Sequence, residues 1–304
     1  MSRSLLAQQG LELESEARSL LPSFRPRSRS LRRTLKSIVL AGDSERGPVL
    51  CKKLVHEDPV WRWYFARELE LFQRFATEPP PIRAARLLAS DPARSLLLVE
   101  ELPGPPLTRQ RRLDDAPGEA AVDAAMAICE RLARWERGLE LAPRDPPPPR
   151  ARRAMRARLL EDPSEALGWV REGIARGVML GLCDDLLSRA MLAALDRHPR
   201  VAFAHGDLLP RNLLRVEGGL VPVDWECAGA HPVGWDRALL WANLPAARAR
   251  LESSVAGDPA ARAAFWACVG FALVRELKFR RARANDQRAA TLRQELERVR
   301  VELC

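Results

Sequence analysis

The residues best suited to chemistry lie between residues 205 and 226, in the stretch HGDLLPRNLLRVEGGLVPVDWE. Asp207 is followed five residues later by Asn212, and a second carboxylate, Asp224, comes after an apolar stretch with a Gly-Gly pair. A carboxylate can accept the proton of a hydroxyl group, and oxygen ligands can hold Mg²⁺ on nucleotide phosphates. One short segment therefore contains the side-chain types that phosphoryl transfer requires.

The apolar stretch predicts how these side chains are brought together. Two β-prone runs, residues 213–216 and 220–223, flank the glycine pair, which is the pattern of a β-hairpin. Because a hairpin returns the chain beside its start, Asp224 is expected near Asn212. The short apolar run at residues 201–204 predicts a buried strand that leads into the loop carrying the first aspartate.

The segments HGDLLPRN and VDWE resemble the catalytic segment of the aminoglycoside phosphotransferase and choline kinase superfamily, a branch of the protein-kinase-like fold. The resemblance implies that Asp207 is the catalytic base and that Asn212 and Asp224 are Mg²⁺ ligands. It gives His205 a structural role. For Glu226 two roles stay open, an outer contact to the metal and a hydrogen bond.

The resemblance also implies a nucleotide-binding lobe upstream. Residues 34–41 and 48–54 are β-prone and are separated by a turn. Val-Leu-Cys-Lys at residues 49–52 takes the place of the kinase strand whose lysine reaches the nucleotide phosphates. Lys52 is therefore expected to bind the phosphates of ATP or GTP, whereas Lys53 should point to the opposite face of the strand.

A helix is predicted from Asp58 to Ala76, because Asp58 can cap it and the proline that follows suits a first turn. An apolar stripe at helical spacing supports the prediction and consists of Trp61, Phe65, Leu69 and Phe72. The resemblance implies that Glu68 is the helix partner of Lys52, and Glu70 is the alternative.

The adenine and phosphate contacts are expected at two further places. A buried strand of four apolar residues leads into Glu100 and Leu102, at the position of the hinge whose backbone groups bind adenine in related kinases. The loop that covers the phosphates is expected near residues 25–34, where no G-x-G-x-x-G motif occurs. Ser28 and Ser30 are candidates for phosphate contact there.

The resemblance implies an α+β, two-lobed, protein-kinase-like fold. A small antiparallel sheet with one key helix would form the N-terminal lobe, residues 1–102, and a larger, mainly helical lobe would comprise residues 103–304. Helices after residue 117 and at the C-terminus are expected to wall the acceptor pocket. Asp236 is expected to cap its helix and to accept amide protons from the catalytic loop.

Composition excludes several other classes of protein. The 304 residues are 47% hydrophobic, yet no apolar stretch reaches the roughly 20 residues that a membrane span needs. The first 20 residues contain acidic side chains and lack the apolar core of a signal peptide. Six scattered cysteines without a C-x-x-C pair argue against a zinc site and a disulfide framework. Reduced thiols in the cytoplasm are the expectation.

The net charge of +9 bears on the partners of the protein. A cationic field favours an anionic substrate over a polycationic one. The C-terminal half has no acidic run of the kind that lines aminoglycoside pockets, so the sequence does not favour an aminoglycoside as acceptor. No basic patch interleaved with aromatic residues supports nucleic-acid binding.

These patterns predict a small-molecule kinase that transfers the γ-phosphoryl group of ATP or GTP to a hydroxyl group of an antibiotic or metabolite, with Mg²⁺ as cofactor. One alternative is a protein or peptide kinase, against which the short stretch between Asp224 and Asp236 speaks. The other is a non-catalytic nucleotide-binding scaffold, against which the presence of Asp207, Asn212 and Asp224 speaks.

Overall fold

The computed structural model describes residues 3–27, 31–34, 36–108, 117–141, 163–280 and 287–303. Ser28 and Ser30, the candidates for phosphate contact, lie outside the described residues. The helices of the described part are α1 (Arg3–Leu20), α2 (Pro59–Thr77), α3 (Glu119–Ala133), α4 (Glu136–Leu141), α5 (Pro163–Met179), α6 (Asp185–Arg197), α7 (Trp235–Asn243), α8 (Arg248–Ser253), α9 (Pro259–Arg280) and α10 (Gln287–Leu303). The strands are β1 (Arg25–Pro26), β2 (Arg32–Arg33), β3 (Ser37–Ser44), β4 (Gly47–Leu54), β5 (Leu87–Asp91), β6 (Leu96–Glu100), β7 (Val201–Ala204), β8 (Leu213–Val216), β9 (Gly219–Pro222) and β10 (Gly229–Pro232).

The N-terminal strands form one antiparallel sheet in the order β1-β3-β4-β6-β5, and β2 also pairs with β3. Side chains alternate between the two faces of a strand, so Cys51 and Lys52 of β4 point in opposite directions. Cys51 is fully buried against α1, whose Leu13 and Ala17 belong to the same core cluster. Lys52 faces α2 instead, because α2 covers the other side of the sheet.

The predicted strand at residues 34–41 begins only at Ser37. Thr34 and Ser37 close a turn in which the Ser37 N–H donates to Thr34 Oγ1 at 3.0 Å and the Thr34 N–H donates to the Ser37 carbonyl at 2.8 Å. β1 and β2 each contribute two residues to the stretch 25–34, which is expected to cover the phosphates. The turn between β2 and β3 therefore carries Lys36, which the sequence had placed inside a strand.

α2 confirms the helix predicted from residue 58. Asp58 Oδ1 accepts a hydrogen bond from the Val60 N–H at 2.9 Å, and Pro59 occupies the first turn, where its missing N–H costs nothing. The buried face of the helix carries aromatic residues and also Glu68, which is only 3% exposed. A buried carboxylate requires a charged or hydrogen-bonding partner, and the partner of Glu68 lies on the sheet beneath α2.

The predicted hairpin is formed by β8 and β9, with Leu213 opposite Pro222 and Val216 opposite Gly219. Gly218 and Gly219 make the turn with φ of 88° and 135°, values that favour glycine. The segment after the first sheet runs alongside this hairpin, since the Leu107 N–H donates to the Leu213 carbonyl at 2.6 Å. The hairpin is thereby positioned next to the N-terminal sheet.

Helices dominate the rest of the described chain. α9 lies among α5, α6, α7 and α10, and its apolar residues belong to the largest hydrophobic cluster. Four tryptophans of this region are almost completely buried: Trp225, Trp235, Trp241 and Trp266. No helix among the described residues combines the length and the apolar character needed to cross a membrane.

Candidate active site

Lys52 forms the centre of an ion cluster beneath the sheet. Its Nζ lies 2.6 Å from Glu68 Oε2 and 3.2 Å from Asp224 Oδ1. The Lys52 side chain is 15% exposed and that of Glu68 is 4% exposed. β4, α2 and the end of the hairpin thus converge on one ammonium group. Lys53 points to the other face and pairs with Glu16 of α1 at 2.6 Å, and Glu70 pairs with Arg74 on the helix surface.

Asp224 has a left-handed backbone, with φ of 67° and ψ of 63°. This conformation is uncommon outside glycine, although aspartate tolerates it better than most residues. It marks the point where the chain leaves β9 and enters the 3-10 turn Trp225–Cys227. Backbone strain of this kind is often found at functional sites, where surrounding contacts maintain it.

Glu226 extends the cluster on the side of the β2–β3 turn. Its Oε2 pairs with Lys36 Nζ, and the same ammonium lies 5.3 Å from the ring centroid of Trp61. Carboxylate oxygens of Glu68, Asp224 and Glu226 lie within 4.8 Å of one another. Clustered carboxylates are the hard oxygen ligands that Mg²⁺ prefers, so the donor set fits this ion.

Burial and charge shift the pKa values of these groups. Burial would lower the pKa of Lys52, but the charges of Glu68 and Asp224 outweigh it and raise the pKa above its ordinary value. Partial burial would raise the pKa of Asp224, but Lys52 and Lys36 outweigh it and lower the pKa. Burial and the nearby charge of Asp224 raise the pKa of Glu226 to about 7. Lys52 is therefore charged, and Asp224 is ionised, at neutral pH.

Asn212 and Asp207 lie together at the start of the hairpin. Asn212 Nδ2 donates to the Asp207 carbonyl at 2.9 Å and to Asp207 Oδ2 at 3.2 Å. The amide nitrogen is thus committed to the loop, which leaves the amide oxygen of Asn212 as its ligand atom. The Val223 N–H donates to the Asn212 carbonyl at 2.9 Å and links the loop to the residue before Asp224.

The loop before Asp207 is held from behind by Asp236. Its two carboxylate oxygens accept the His205 N–H at 2.7 Å and the Gly206 N–H at 3.0 Å. The expected amide contacts are therefore present, but the expected cap is not. Gly234, with φ of 91°, occupies the N-cap position, and Asp236 lies within the first turn of α7, where its carboxylate points toward the loop.

Gly206 occupies a position with no room for a side chain. Its φ is 79°, and a Cβ atom there would lie 2.0 Å from the Cys227 carbonyl oxygen. The neighbouring His205 is fully buried, and its Nε2 lies 3.1 Å from the Val223 carbonyl oxygen. Burial lowers the pKa of this imidazole to about 4, so the ring is neutral and Nε2–H donates to that carbonyl. Both residues hold the loop against the hairpin.

Two arginines that the sequence did not single out contact Asp207. Arg211 Nη2 lies 3.3 Å from Asp207 Oδ2, and Arg275 Nη2 of α9 lies 3.3 Å from Asp207 Oδ1. Arg211 is four residues away on the same loop, a spacing that could have indicated the contact. Arg275 lies 68 residues away, and nothing in its local sequence distinguishes it from other arginines.

At the hinge position, two backbone amides are used within the sheet. The Glu100 N–H donates to the Arg86 carbonyl at 2.8 Å, and the Glu101 N–H donates to the Pro48 carbonyl at 2.9 Å. The Glu100 side chain lies near Arg83 and Arg86. Leu102 is 6% exposed and belongs to the main hydrophobic cluster. Any adenine contact here would therefore be made by backbone groups.

Comparisons with known proteins place this geometry in context. The sequence model of the phosphotransferase enzyme family matches residues 43–267, which is most of the chain. No curated protein matches the sequence.

Solved structures resemble the whole chain at low sequence identity. The GDP complex of wild-type aminoglycoside 2'-phosphotransferase-IIIa has a TM-score of 0.60 at 12% identity, with 96% of this chain and 98% of that chain covered. A thermostable mutant of aminoglycoside phosphotransferase APH(4)-Ia, in ternary complex with AMP-PNP and hygromycin B, has a TM-score of 0.58 at 14% identity and coverages of 95% and 98%. Choline kinase from Cryptosporidium parvum Iowa II has a TM-score of 0.53 at 12% identity, with 96% of each chain covered. The predicted α+β, kinase-like fold is confirmed.

Proposed function

We propose, because the chain belongs to the phosphotransferase enzyme family, that it transfers the γ-phosphoryl group of ATP or GTP to a hydroxyl group of a small molecule. The observation that supports this most strongly is the ion cluster of Lys52, Glu68 and Asp224, which lies at one end of the hairpin that begins at Asn212. Groups of these types are those that position a nucleotide and its metal in kinases. The solved relatives named as complexes with GDP and AMP-PNP support a nucleotide as phosphoryl donor.

In this proposal Lys52 binds phosphate oxygens of the nucleotide, and Glu68 keeps the lysine extended toward them. The Asn212 amide oxygen and the Asp224 carboxylate hold Mg²⁺, which neutralises charge on the phosphates. Backbone groups of Glu100 and Leu102 bind the adenine or guanine base. Catalysis then depends mainly on positioning and on charge neutralisation, since the protein forms no covalent bond to the phosphoryl group.

The location of Lys36 makes it a further candidate for binding the nucleotide. Its ammonium group reaches the carboxylate cluster from the β2–β3 turn, opposite Lys52. A bound phosphate would compete with Glu226 for the Lys36 ammonium, and a bound Mg²⁺ would compete with Lys36 for the Glu226 carboxylate. We assign Lys36 to phosphate binding, in place of the backbone amides that a glycine-rich loop would provide.

Asp207 is the proposed base. Its carboxylate would orient the acceptor hydroxyl and accept its proton as the phosphoryl group is transferred. Each carboxylate oxygen can accept more than one hydrogen bond, so the contacts with Asn212, Arg211 and Arg275 leave room for a hydroxyl group.

The two alternatives have less support. A protein kinase needs an ordered segment that receives a peptide, and here residues 225–234 contain only a 3-10 turn and the short strand β10 before α7 begins. A scaffold that only binds nucleotide has no use for an Asp207 held by contacts with Arg211, Asn212 and Arg275.

The test is an acceptor screen with ATP and GTP in the presence of Mg²⁺. Full-length protein and Asp207→Asn would be compared on aminoglycosides, choline, hydroxy acids and sugar phosphates by following release of nucleoside diphosphate. Asp207→Asn should reduce turnover by about 10²–10⁴-fold, the usual contribution of a general base, with unchanged nucleotide affinity. Nucleotide binding without transfer to any acceptor would favour the scaffold instead, and near-normal turnover by Asp207→Asn would remove Asp207 from the role of base.

A further inference from the structure

Arg275 makes a contact that the proposed chemistry does not require. It lies on α9, and its Nη2 is 3.3 Å from Asp207 Oδ1. A second carboxylate of the described residues, Glu276, forms an ion pair with Arg275 at 3.8 Å between Oε1 and Nη2, a distance longer than a hydrogen bond. The guanidinium therefore uses one of its three nitrogens on the proposed base.

The other two nitrogens of Arg275 are buried. The side chain is 10% exposed, and neither Nε nor Nη1 has a hydrogen-bond partner among the residues that the structure describes. A buried donor without a partner costs roughly 1–3 kcal/mol, and more when the group is charged. Buried guanidinium groups normally have carboxylate or phosphate partners that bind two nitrogens at once. Nε and Nη1 lie on different edges of the guanidinium, and each shares its edge with Nη2. The edge that does not face Asp207 therefore keeps two N–H groups with which it could bind an anion from outside the chain.

An aromatic ring lies over the guanidinium of Arg275. The N–H groups, which lie in the plane of the guanidinium, are therefore the groups with which it can bind a ligand. The indole of Trp235 lies next to the guanidinium, with 5.9 Å between Cζ and the ring centroid. Trp235 is itself anchored, because its Nε1–H donates to the Gly206 carbonyl at 3.0 Å. Arg275 is therefore held between Trp235 of α7 and the loop that carries Asp207.

We propose that Arg275 binds an anionic group of the acceptor, a carboxylate or a phosphate, while the acceptor hydroxyl lies on Asp207. This inference rests on the proposed function, because it assumes that Asp207 faces the acceptor. It defines the substrate class as hydroxylated anions. Arg211, on the other oxygen of Asp207, adds a second positive charge to the same place.

The arrangement also limits the size of the acceptor. Hydrogen bonds of about 2.8 Å from the hydroxyl to Asp207 and from the anion to the guanidinium would place the two groups within roughly 8 Å. A hydroxy acid or a hydroxyalkyl phosphate satisfies this limit. A cationic acceptor is disfavoured, because an ammonium group cannot accept hydrogen bonds and would leave the N–H donors of Arg275 unpaired.

The test uses four acceptors that share the glycerol skeleton but differ in charge: glycerate, glycerol 3-phosphate, neutral glycerol and cationic serinol. Phosphoryl transfer by the full-length protein would be measured with Mg²⁺ and ATP. Binding would be measured separately by calorimetry in the presence of Mg²⁺ and ADP. We expect one or both anionic members to bind and react at least about 10-fold better than glycerol and serinol, and the comparison of glycerate with glycerol 3-phosphate identifies the anion.

Variants separate anion recognition from a merely structural role. Arg275→Met should raise KM for the anionic acceptor by about 10–100-fold and should remove the preference over glycerol, and Arg275→Lys should retain part of it. Arg262→Met removes the same charge from an exposed site on the same helix and serves as the control, with no change expected. Unchanged Mg²⁺–ADP affinity and unfolding midpoint would show that the Arg275 variants are folded.

Three results would overturn the proposal. One is a preference for glycerol or serinol. Another is an equal fall in kcat for every acceptor without a change in KM, which would mean that Arg275 only orients Asp207. The last is the absence of any Arg275-dependent binding of glycerate or glycerol 3-phosphate. Failure of the proposed function appears differently, as nucleotide binding without transfer to any acceptor of the broader screen.

Discussion

The carboxylates and lysines of the site neutralise one another. Glu68, Asp224 and Glu226 provide three clustered carboxyl groups, which Lys36 and Lys52 approach from different elements. Each lysine therefore occupies a carboxylate that the proposed Mg²⁺ would also approach. In the proposed function, nucleotide binding would exchange these ionic partners, so single substitutions should alter metal dependence and phosphate affinity separately.

Removing the Asp224 carboxylate should abolish the dependence of nucleotide affinity on Mg²⁺. Asp224→Ala takes away a hard oxygen ligand from an ion that demands near-octahedral coordination. Calorimetry with Mg²⁺–ATP and with ATP plus EDTA measures the effect as the difference between the two affinities. That difference should be large in the unmodified protein and close to zero in the variant. An unchanged difference would mean that Asp224 does not hold the metal.

Lys36→Met should weaken ATP binding by about 10–100-fold, the usual worth of one charge-assisted contact, and should weaken AMP binding much less. Lys53→Met is the matched control, because Lys53 pairs with Glu16 on the opposite face of the sheet. Its nucleotide affinity should stay within about twofold of the parent. Equal effects of the two substitutions would attribute the loss to general charge, and Lys36 would no longer be assigned to the phosphates.

Among the elements, the loop from β7 to the hairpin is the most tightly constrained. Asp236 accepts its amides, His205 donates to the hairpin, and Gly206 passes close to the Cys227 carbonyl. These contacts come from three separate elements and leave Asp207 on a short, fixed turn. Such preorganisation reduces the cost of holding a base in its reactive position.

Gly206→Ala should destabilise the protein by about 3 kcal/mol or more, because it adds a backbone clash to an unfavourable φ. Gly218→Ala provides the comparison. Its φ is 88°, but no atom lies within 4 Å of the added Cβ, so only the conformational cost of about 1–2 kcal/mol applies. Chemical denaturation of both variants measures the difference. Similar losses would show that the loop can move away from Cys227.

At the scale of the whole molecule, the site is assembled from distant parts of the chain. Lys36 meets Glu226 across 190 residues, Lys52 meets Asp224 across 172, and Asp207 meets Arg275 across 68. Burial moves the pKa of His205 below its ordinary value and the pKa of Asp236 above it. Stability should therefore depend on pH through groups of opposite sign.

His205 should contribute stability that is present above pH 6.5 and is lost as the pH falls toward about 4, since its folded pKa lies below its unfolded value. Asp236, whose pKa burial raises to about 7, has the opposite dependence and loses its contribution as the pH rises through that value. The advantage of the parent over His205→Gln should therefore shrink below pH 6.5 by up to about 1.4 kcal/mol per pH unit. Urea denaturation at pH 7, 6 and 5 measures it, and a constant advantage would contradict a buried neutral imidazole.

Local patterns alone were enough to determine much of this protein. The hairpin, the helix α2 with its cap, and the alternation that separates Lys52 from Lys53 follow from short-range rules of side-chain spacing and turn chemistry. The HGDLLPRN and VDWE segments were specific enough to indicate the family and the kinase-like fold. These features depend on residues that are neighbours in sequence, so one chain is sufficient to recognise them.

Tertiary structure alone decided which distant charges meet. The sequence predicts that Lys36 lies in a strand, but hydrogen bonds between Thr34 and Ser37 place it in a turn. The local sequence does not distinguish Arg275 from other arginines, and only the packing of α9 shows that it contacts Asp207. Such contacts depend on how helices and sheets pack over tens of residues, and no periodicity or motif encodes that distance. We expect Arg275 to select the acceptor. Because its contact with Asp207 depends on this packing, the sequence alone could not identify it.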